Sequence, residues 1–263
     1  MTMMGTLNEK RDQLLLPIVG IVGMLALWEG VTSGLGVVSE IVLPAPTTVL
    51  AEFSDTSDLI IQSTETTLFA GVVGFLIVVV FAPLCAIALT LNDRVEKAFM
   101  PLVVGVNSIP RVTVIPLLVF YFGDDIGTGY IIAAWVAFFP MFLNAFEGFS
   151  RLNEDHRSLL SMYNASVWQE YRYVRLPNGL PRVFDGMKIA FTLAMIGAVV
   201  GEFIMREGGL GHLAMIGMRT ANTGLVFASV FVIGIISTVS IFLLYLLQDR
   251  LVFWEETNFF TTE

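Results

Sequence analysis

Taken as a pattern of apolar and polar positions, the chain is a succession of long uncharged runs. Six reach far enough to cross a membrane: about 14–33, 67–91, 99–122, 129–147, 187–204 and 225–247. About 20 apolar residues in a helix cross a hydrocarbon core of roughly 30 Å. The edges are polar. The second run opens on Thr64-Glu65-Thr66-Thr67 and closes before Asn92-Asp93-Arg94, and the sixth closes before Gln248-Asp249-Arg250. The third is irregular: Pro101, Pro110 and Pro116 interrupt it, and Arg111 lies within it. Long continuous runs, rather than alternation in segments of about 10 residues, exclude a β-barrel. The pattern predicts an all-α polytopic membrane protein with about six transmembrane helices. No small-residue cleavage signature follows the first run, so it reads as a retained span.

Lys and Arg in the loops set the orientation. With the N-terminus inside, the inner side holds Lys10, Arg11, Arg94, Lys97, Arg151, Arg157, Arg172, Arg175, Arg182, Lys188 and Arg250, and the outer side only Arg206 and Arg219. The segment 37–65 carries five carboxylates and no Lys or Arg. Both termini are therefore expected in the cytoplasm, with the protein in the cell membrane.

The inner segment between the fourth and fifth spans has a pattern of its own. Leu160, Tyr163, Val167, Tyr171 and Val174 recur at helical spacing. A break falls at Asn164-Ala165-Ser166. Asn is able to take the left-handed conformation that ends a helix. Ser166 with Gln169 fits a capping box that starts the next one. The expected element is helix, tight turn, helix, stopped near Pro177. Beside a bilayer, two readings stay open: an amphipathic element on the headgroups, or a docking surface for a cytoplasmic partner.

Composition sharpens this picture. Of 263 residues, 56% are hydrophobic and 14% charged, against about 25% charged in soluble domains, and mean hydropathy is +0.78. Net charge is −9, which argues against nucleic acid as a partner. The few Lys and many acidic residues fit either a surface adapted to high salt or ordinary compositional drift. Cys85 alone forms no internal disulfide, and two separated histidines, His156 and His212, support no metal site.

Residues 164–177 resemble the loop shared by the inner-membrane permeases of ABC importers: a Glu-Ala-Ala triplet, three residues, Gly, nine residues, an apolar residue, one residue, then Leu-Pro. Asn164 takes the Gly position, and Val174, Leu176 and Pro177 follow at the right distance. The triplet falls on Ser158, Leu159 and Leu160 and does not match, so the carboxylate of that motif is missing here; Glu154 and Asp155 lie one turn earlier. Other stretches look like the sulfonate, taurine and nitrate branch of these permeases: Leu43-Pro44-Ala45-Pro46-Thr47-Thr48-Val49, Ser108-Ile109-Pro110, Ile115-Pro116-Leu117, Phe122-Gly123, Phe139-Pro140, Gly201-Glu202-Phe203 and Gly208-Gly209-Leu210-Gly211.

The resemblance implies the type I ABC importer permease fold. It implies a pore made with a second permease copy as a homodimer, two cytoplasmic ATPase subunits and an extracytoplasmic substrate-binding protein. ATP and Mg would be bound by the ATPase; the chain has no G-x-x-x-x-G-K-S/T loop, so it is not expected to be an enzyme, and it needs no cofactor or metal of its own. The implied division is 1–66 for the N-terminal segment with the first span and an extracytoplasmic loop, 67–250 for the core with a coupling loop at about 150–182, and 251–263 for an acidic cytoplasmic tail. The expected ATPase-coupling residues are Glu154, Asp155, Ser158, Leu159, Leu160, Tyr163, Asn164, Ala165, Ser166, Leu176 and Pro177.

Charges at membrane depth are costly and mark candidate pathway residues. Asn107, Ser108, Pro110, Arg111 and Glu202 are the candidates, with Arg111 placed to meet an anionic solute or, alternatively, to satisfy polar groups at the helix break or pair with a carboxylate on another span. Glu202 and Arg206 have the i, i+4 spacing of an ion pair, and Glu29 is expected to reach the headgroups. Gly71, Gly74, Gly197 and Gly201 permit close helix approach. The competing functions are a self-sufficient secondary transporter or channel, and a membrane scaffold without transport.

Overall fold

The computed structural model describes residues 16, 18–34, 39–150, 152, 154–205 and 208–254, without the side chains of Asp93, Glu154, Asp155 and Arg157. All regular structure among the described residues is helical. In chain order the helices are α1 Ile18–Gly34, α2 Pro46–Asp55, α3 Ser57–Thr90, α4 Asp93–Asn107, α5 Arg111–Phe122, α6 Ile126–Ser150, α7 Glu154–Met162, α8 Val167–Ile204, α9 Leu210–Arg219 and α10 Thr223–Leu251. Among the described residues, α3, α6, α8 and α10 are long and apolar enough to cross a membrane. The pair α4 and α5, bent by 90° at a short break, makes a fifth candidate as a broken span or re-entrant loop. The first of the six apolar runs is the shorter helix α1.

Two helices run well past the apolar stretches that announced them. α3 begins at Ser57, ten residues before Thr67, and α8 spans 38 residues. The second corrects an expectation: the element after the turn does not stop near Pro177. Pro lacks the N–H of an i to i−4 bond and collides with the carbonyl four residues back. Here Tyr171–Arg175 is wound as a π-turn, in which the Leu176 N–H reaches the Tyr171 carbonyl. The wider turn makes room just ahead of Pro177, so the proline falls at the start of regular α-helix, where its missing N–H matters least.

The three prolines of the third run also behave differently from one another. Pro101 and Pro116 sit inside α4 and α5 without ending them, as neighbouring packing permits in membrane helices. Only Pro110 breaks the run. The Val106 carbonyl that its N–H would have used accepts the Ile109 N–H instead, at 3.1 Å.

The chain divides into two compact units. One comprises Met1–Ile61 and Leu213–Phe231. In it, Trp28 of α1 packs against Phe227 and Phe231 of α10 at ring separations of 5.8 and 5.9 Å. Glu29 is engaged within this unit. Its carboxylate accepts the Thr47 backbone N–H at 3.1 Å and the Thr47 hydroxyl at 2.8 Å, capping α2, whose own N-cap, Ala45, has no side chain able to do so. Glu52 accepts Asn222 Nδ2 at 2.9 Å.

The other unit comprises Gln62–His212 and Val232–Glu263. Its core is an alanine-rich contact of α3, α6 and α8 around Phe142, Phe149, Met141 and Met195. Ala133 of α6 is the crossing point. A Cβ built on Gly74 of α3 would lie 2.5 Å from the Ala133 Cβ, and one on Gly197 of α8 would lie 3.0 Å from the Ala133 Cα. Of the four glycines read from the sequence, Gly74 and Gly197 thus mark the place where three backbones meet. Lower down, Gly148 and Gly179 pack α6 against α8: a Cβ on either would lie within 2.9 Å of the other's carbonyl oxygen.

Candidate functional site

The loop after α6 is built as two caps back to back. Helix α7 ends with Asn164 in the left-handed region, φ 46°. Its N–H donates to the Ser161 carbonyl at 3.2 Å and the Ala165 N–H to the Leu160 carbonyl at 3.0 Å, the paired bonds of a Schellman closure. One residue on, Ser166 opens α8. Its hydroxyl accepts the Gln169 N–H at 3.3 Å while Gln169 Oε1 accepts the Ser166 N–H at 2.8 Å, completing the capping box. Three residues therefore end one helix and begin the next, with the N–H groups of Asn164, Ala165, Ser166 and Gln169 all bonded. Asn164→Gly is expected to leave the turn intact. Asn164→Val should cost about 1–2 kcal/mol at the turn, read as a lower melting temperature with expression normal.

An arginine that sequence reasoning did not single out anchors this element. Arg175 Nε bonds Glu170 Oε1 at 2.5 Å and its Nη1 donates to the Phe149 carbonyl at 3.0 Å, using a carbonyl that the end of α6 leaves open. Tyr171 supplies a second tie: its ring is buried and its hydroxyl bonds the Thr90 hydroxyl at the end of α3. In the sequence Tyr171 stood out only as one of five residues at helical spacing, and Arg175 only among the inner-side basic residues.

Of the expected coupling residues, Leu160, Asn164 and Ala165 line one open groove together with Ser161, Glu170 and Arg175. Ser158, Leu159, Tyr163 and Ser166 are exposed around it, Tyr163 at 81%. Glu154 and Asp155 begin α7, and their side chains lie outside the described residues. Leu176 and Pro177 are not brought to this cluster: they sit within α8, and Leu176 lines a different groove with Ile87 and Leu91.

At the bend between α4 and α5, Arg111 donates through Nη2 to Asn107 Oδ1 at 2.9 Å. The Ser108 hydroxyl donates to the Val104 carbonyl at 2.9 Å, and Pro110 is the N-cap of α5. Arg111 lies one turn before Ile115, which is fully buried against Ile132 and Val136, so it shares the bundle-facing side of α5. A guanidinium has five N–H donors; one is spent on Asn107, and no carboxylate bonds it among the described residues. The bend can therefore offer directed donors to an anion.

Glu202 is almost wholly buried at the end of α8. Its Oε1 accepts the Thr67 hydroxyl at 2.7 Å, and its Oε2 accepts the Gly211 N–H at 2.7 Å. Thr67 in turn accepts the Leu210 N–H at 2.8 Å. The carboxylate thus closes the N-terminus of α9, where the helix dipole favours a negative charge. Gly209 has φ +151°, and a Cβ there would overlap the carboxylate, which is the physical sense of Gly208-Gly209-Leu210-Gly211. The expected partner Arg206 lies outside the described residues.

Residues 79–254 match the family model of the binding-protein-dependent transport system inner membrane component. The riboflavin transport system permease protein RibX of Chloroflexus aurantiacus is 31% identical over 235 residues, covering 88% of this chain and 87% of its own. The formylaminopyrimidine transport permease protein ThiX of Halalkalibacterium halodurans is 27% identical, covering 94% and 99%. A candidate aliphatic sulfonates transport permease, SsuC of Bacillus subtilis, is 27% identical, covering 93% and 87%.

Proposed function

The chain belongs to the family of binding-protein-dependent transport system inner membrane components; it is a permease subunit of an ABC transport system, and we propose that it imports a small anionic solute as a homodimer. Family membership implies an ATPase partner and a binding-protein partner, with ATP hydrolysis in the separate subunit. The finer reading is that two ATPase subunits dock on α7 and the turn at Asn164, that both termini face the cytoplasm, and that Arg111 meets the solute.

The observation that carries docking is the double cap, held to α6 and α3 by Arg175 and Tyr171. A docking element must deliver force without bending. A rigid turn whose outer residues Met162 and Tyr163 are about four-fifths exposed has both properties. The observation behind an anionic solute is Arg111, with four N–H donors left after Asn107. The relatives named above carry sulfonates, a formylaminopyrimidine and riboflavin in their names, so the substrate class rests on this residue alone.

The test is ATP-driven uptake in proteoliposomes with the ATPase and binding protein present. Arg111→Ala should lower uptake of an anionic solute at least tenfold, corresponding to loss of a charge-assisted bond of about 1.5–3 kcal/mol, with assembly unchanged. Arg111→Lys should restore part of it. Equal loss of assembly and uptake would make Arg111 a structural residue of the bend, and unchanged uptake would remove the anion reading.

A further inference from the structure

The segment that follows the turn carries a second surface, distinct from α7. Between the end of α3 and the first turns of α8 lies an open groove of about 480 Å³, lined by Ile87, Leu91, Val167, Trp168 and Leu176, with Tyr171 as a buried member and Arg172 as its one charged residue. Trp168 is 70% exposed. Arg172 makes no ion pair or hydrogen bond among the described residues. Its neighbour Glu170 is occupied by Arg175.

The depth of this groove follows from α3. Thr67 bonds Glu202 at one end of the unit and Thr90 bonds Tyr171 at the other. The 23 residue steps from Thr67 to Thr90 rise about 35 Å at 1.5 Å each, close to the roughly 30 Å of a hydrocarbon core. The apolar run of α3 also ends here, before Asn92-Asp93-Arg94. The groove therefore opens at the level of the phospholipid headgroups. At that level Trp is the side chain that sits best between oil and water, and an unpaired guanidinium is the side chain that best grips a phosphate.

We propose that this groove binds one anionic phospholipid, with its phosphate on Arg172 and an acyl chain along Ile87, Leu91 and Leu176. Charge complementarity selects the occupant: the apolar slot takes any chain, and the lone cation prefers a headgroup without a compensating ammonium. The site divides the loop between two tasks, with α7 and the turn facing the ATPase and the start of α8 facing the membrane.

The test uses the permease–ATPase complex in phosphatidylcholine vesicles with a minor fraction of phospholipid brominated on its acyl chains. Trp168 emission is isolated as the difference between the parent and Trp168→Phe. Brominated phosphatidylglycerol should quench it at about fivefold lower mole fraction than brominated phosphatidylcholine, the effect of about 1 kcal/mol for one basic residue near the surface. Arg172→Gln should abolish that preference and Arg172→Lys should retain it. Equal quenching by both lipids in the parent, or a preference that survives Arg172→Gln, would overturn the site. Quenching that appears only when the ATPase is removed would show that the partner covers the groove, and would overturn it too. Should Trp168→Phe fail to fold, native mass spectrometry gives an independent count: the parent complex should retain one more anionic phospholipid per permease chain than Arg172→Gln, and equal counts would refute the proposal.

Discussion

Gly74→Leu and Gly197→Leu are each expected to abolish accumulation of folded permease. Both glycines face Ala133, from α3 and from α8. A Cβ on Gly74 would lie 2.9 Å from the Ala134 backbone nitrogen and 3.0 Å from the Tyr130 carbonyl oxygen, and one on Gly197 would lie 3.1 Å from the Ile132 carbonyl oxygen. These neighbours are backbone and have no rotamer to yield with, so relief requires the helices to move apart. Overpacking a core costs about 1–3 kcal/mol where side chains can shift; a leucine against backbone should exceed about 3 kcal/mol. Separating α3 or α8 from α6 would also open the alanine contacts above and below. Gly71→Ala is the contrast, because its Cβ would meet the Met195 side chain, which is flexible and adapts. Size-exclusion profiles after graded heating should show Gly71→Ala near the parent and both leucine variants aggregated. Monodisperse Gly74→Leu protein at the parent's melting temperature would contradict the three-helix contact at Ala133.

Glu202→Ala should be the next most damaging change. It strands the Thr67 hydroxyl and the Gly211 N–H, both buried. An unmet buried polar group costs about 1–3 kcal/mol, so the pair should lose about 3 kcal/mol. Glu202→Gln should fall between parent and alanine, since its carbonyl oxygen can serve one donor while its amide cannot accept from the other. Gly209→Ala should resemble Glu202→Ala, because a Cβ at φ +151° would occupy the carboxylate's place. Melting temperatures of the four proteins in one detergent, together with uptake, check the order. A parent-like Glu202→Ala would mean that α9 is held by something other than this carboxylate.

The candidate site was legible in proportion to how local its determinants are. The Asn164 turn and the Ser166–Gln169 box are settled within a few residues, and both were visible as spacing. Arg111 was visible as a charge in an apolar run, but its bond to Asn107 depended on which of three prolines broke the helix. Pro177 was misleading because the π-turn at Tyr171–Arg175 removes the clash that would have stopped α8. The anchoring bonds of Arg175 and Tyr171 were not legible because their partners, Phe149 and Thr90, stand 26 and 81 residues away in the chain.

By itself, the sequence determined that this is an all-α membrane protein, where its apolar runs lie and where its inner loop turns, because hydropathy, helical period and cap chemistry act over one or two turns of chain. Tertiary structure alone decided that Glu29 caps α2, that Glu202 closes α9 through Thr67, and that Gly74 and Gly197 meet at one alanine. The Thr67–Glu202 bond joins residues 135 positions apart. A carboxylate in an apolar helix must find donors somewhere, because leaving it unmet there is too costly; which donors it finds depends on how the helices pack, and no local pattern encodes that.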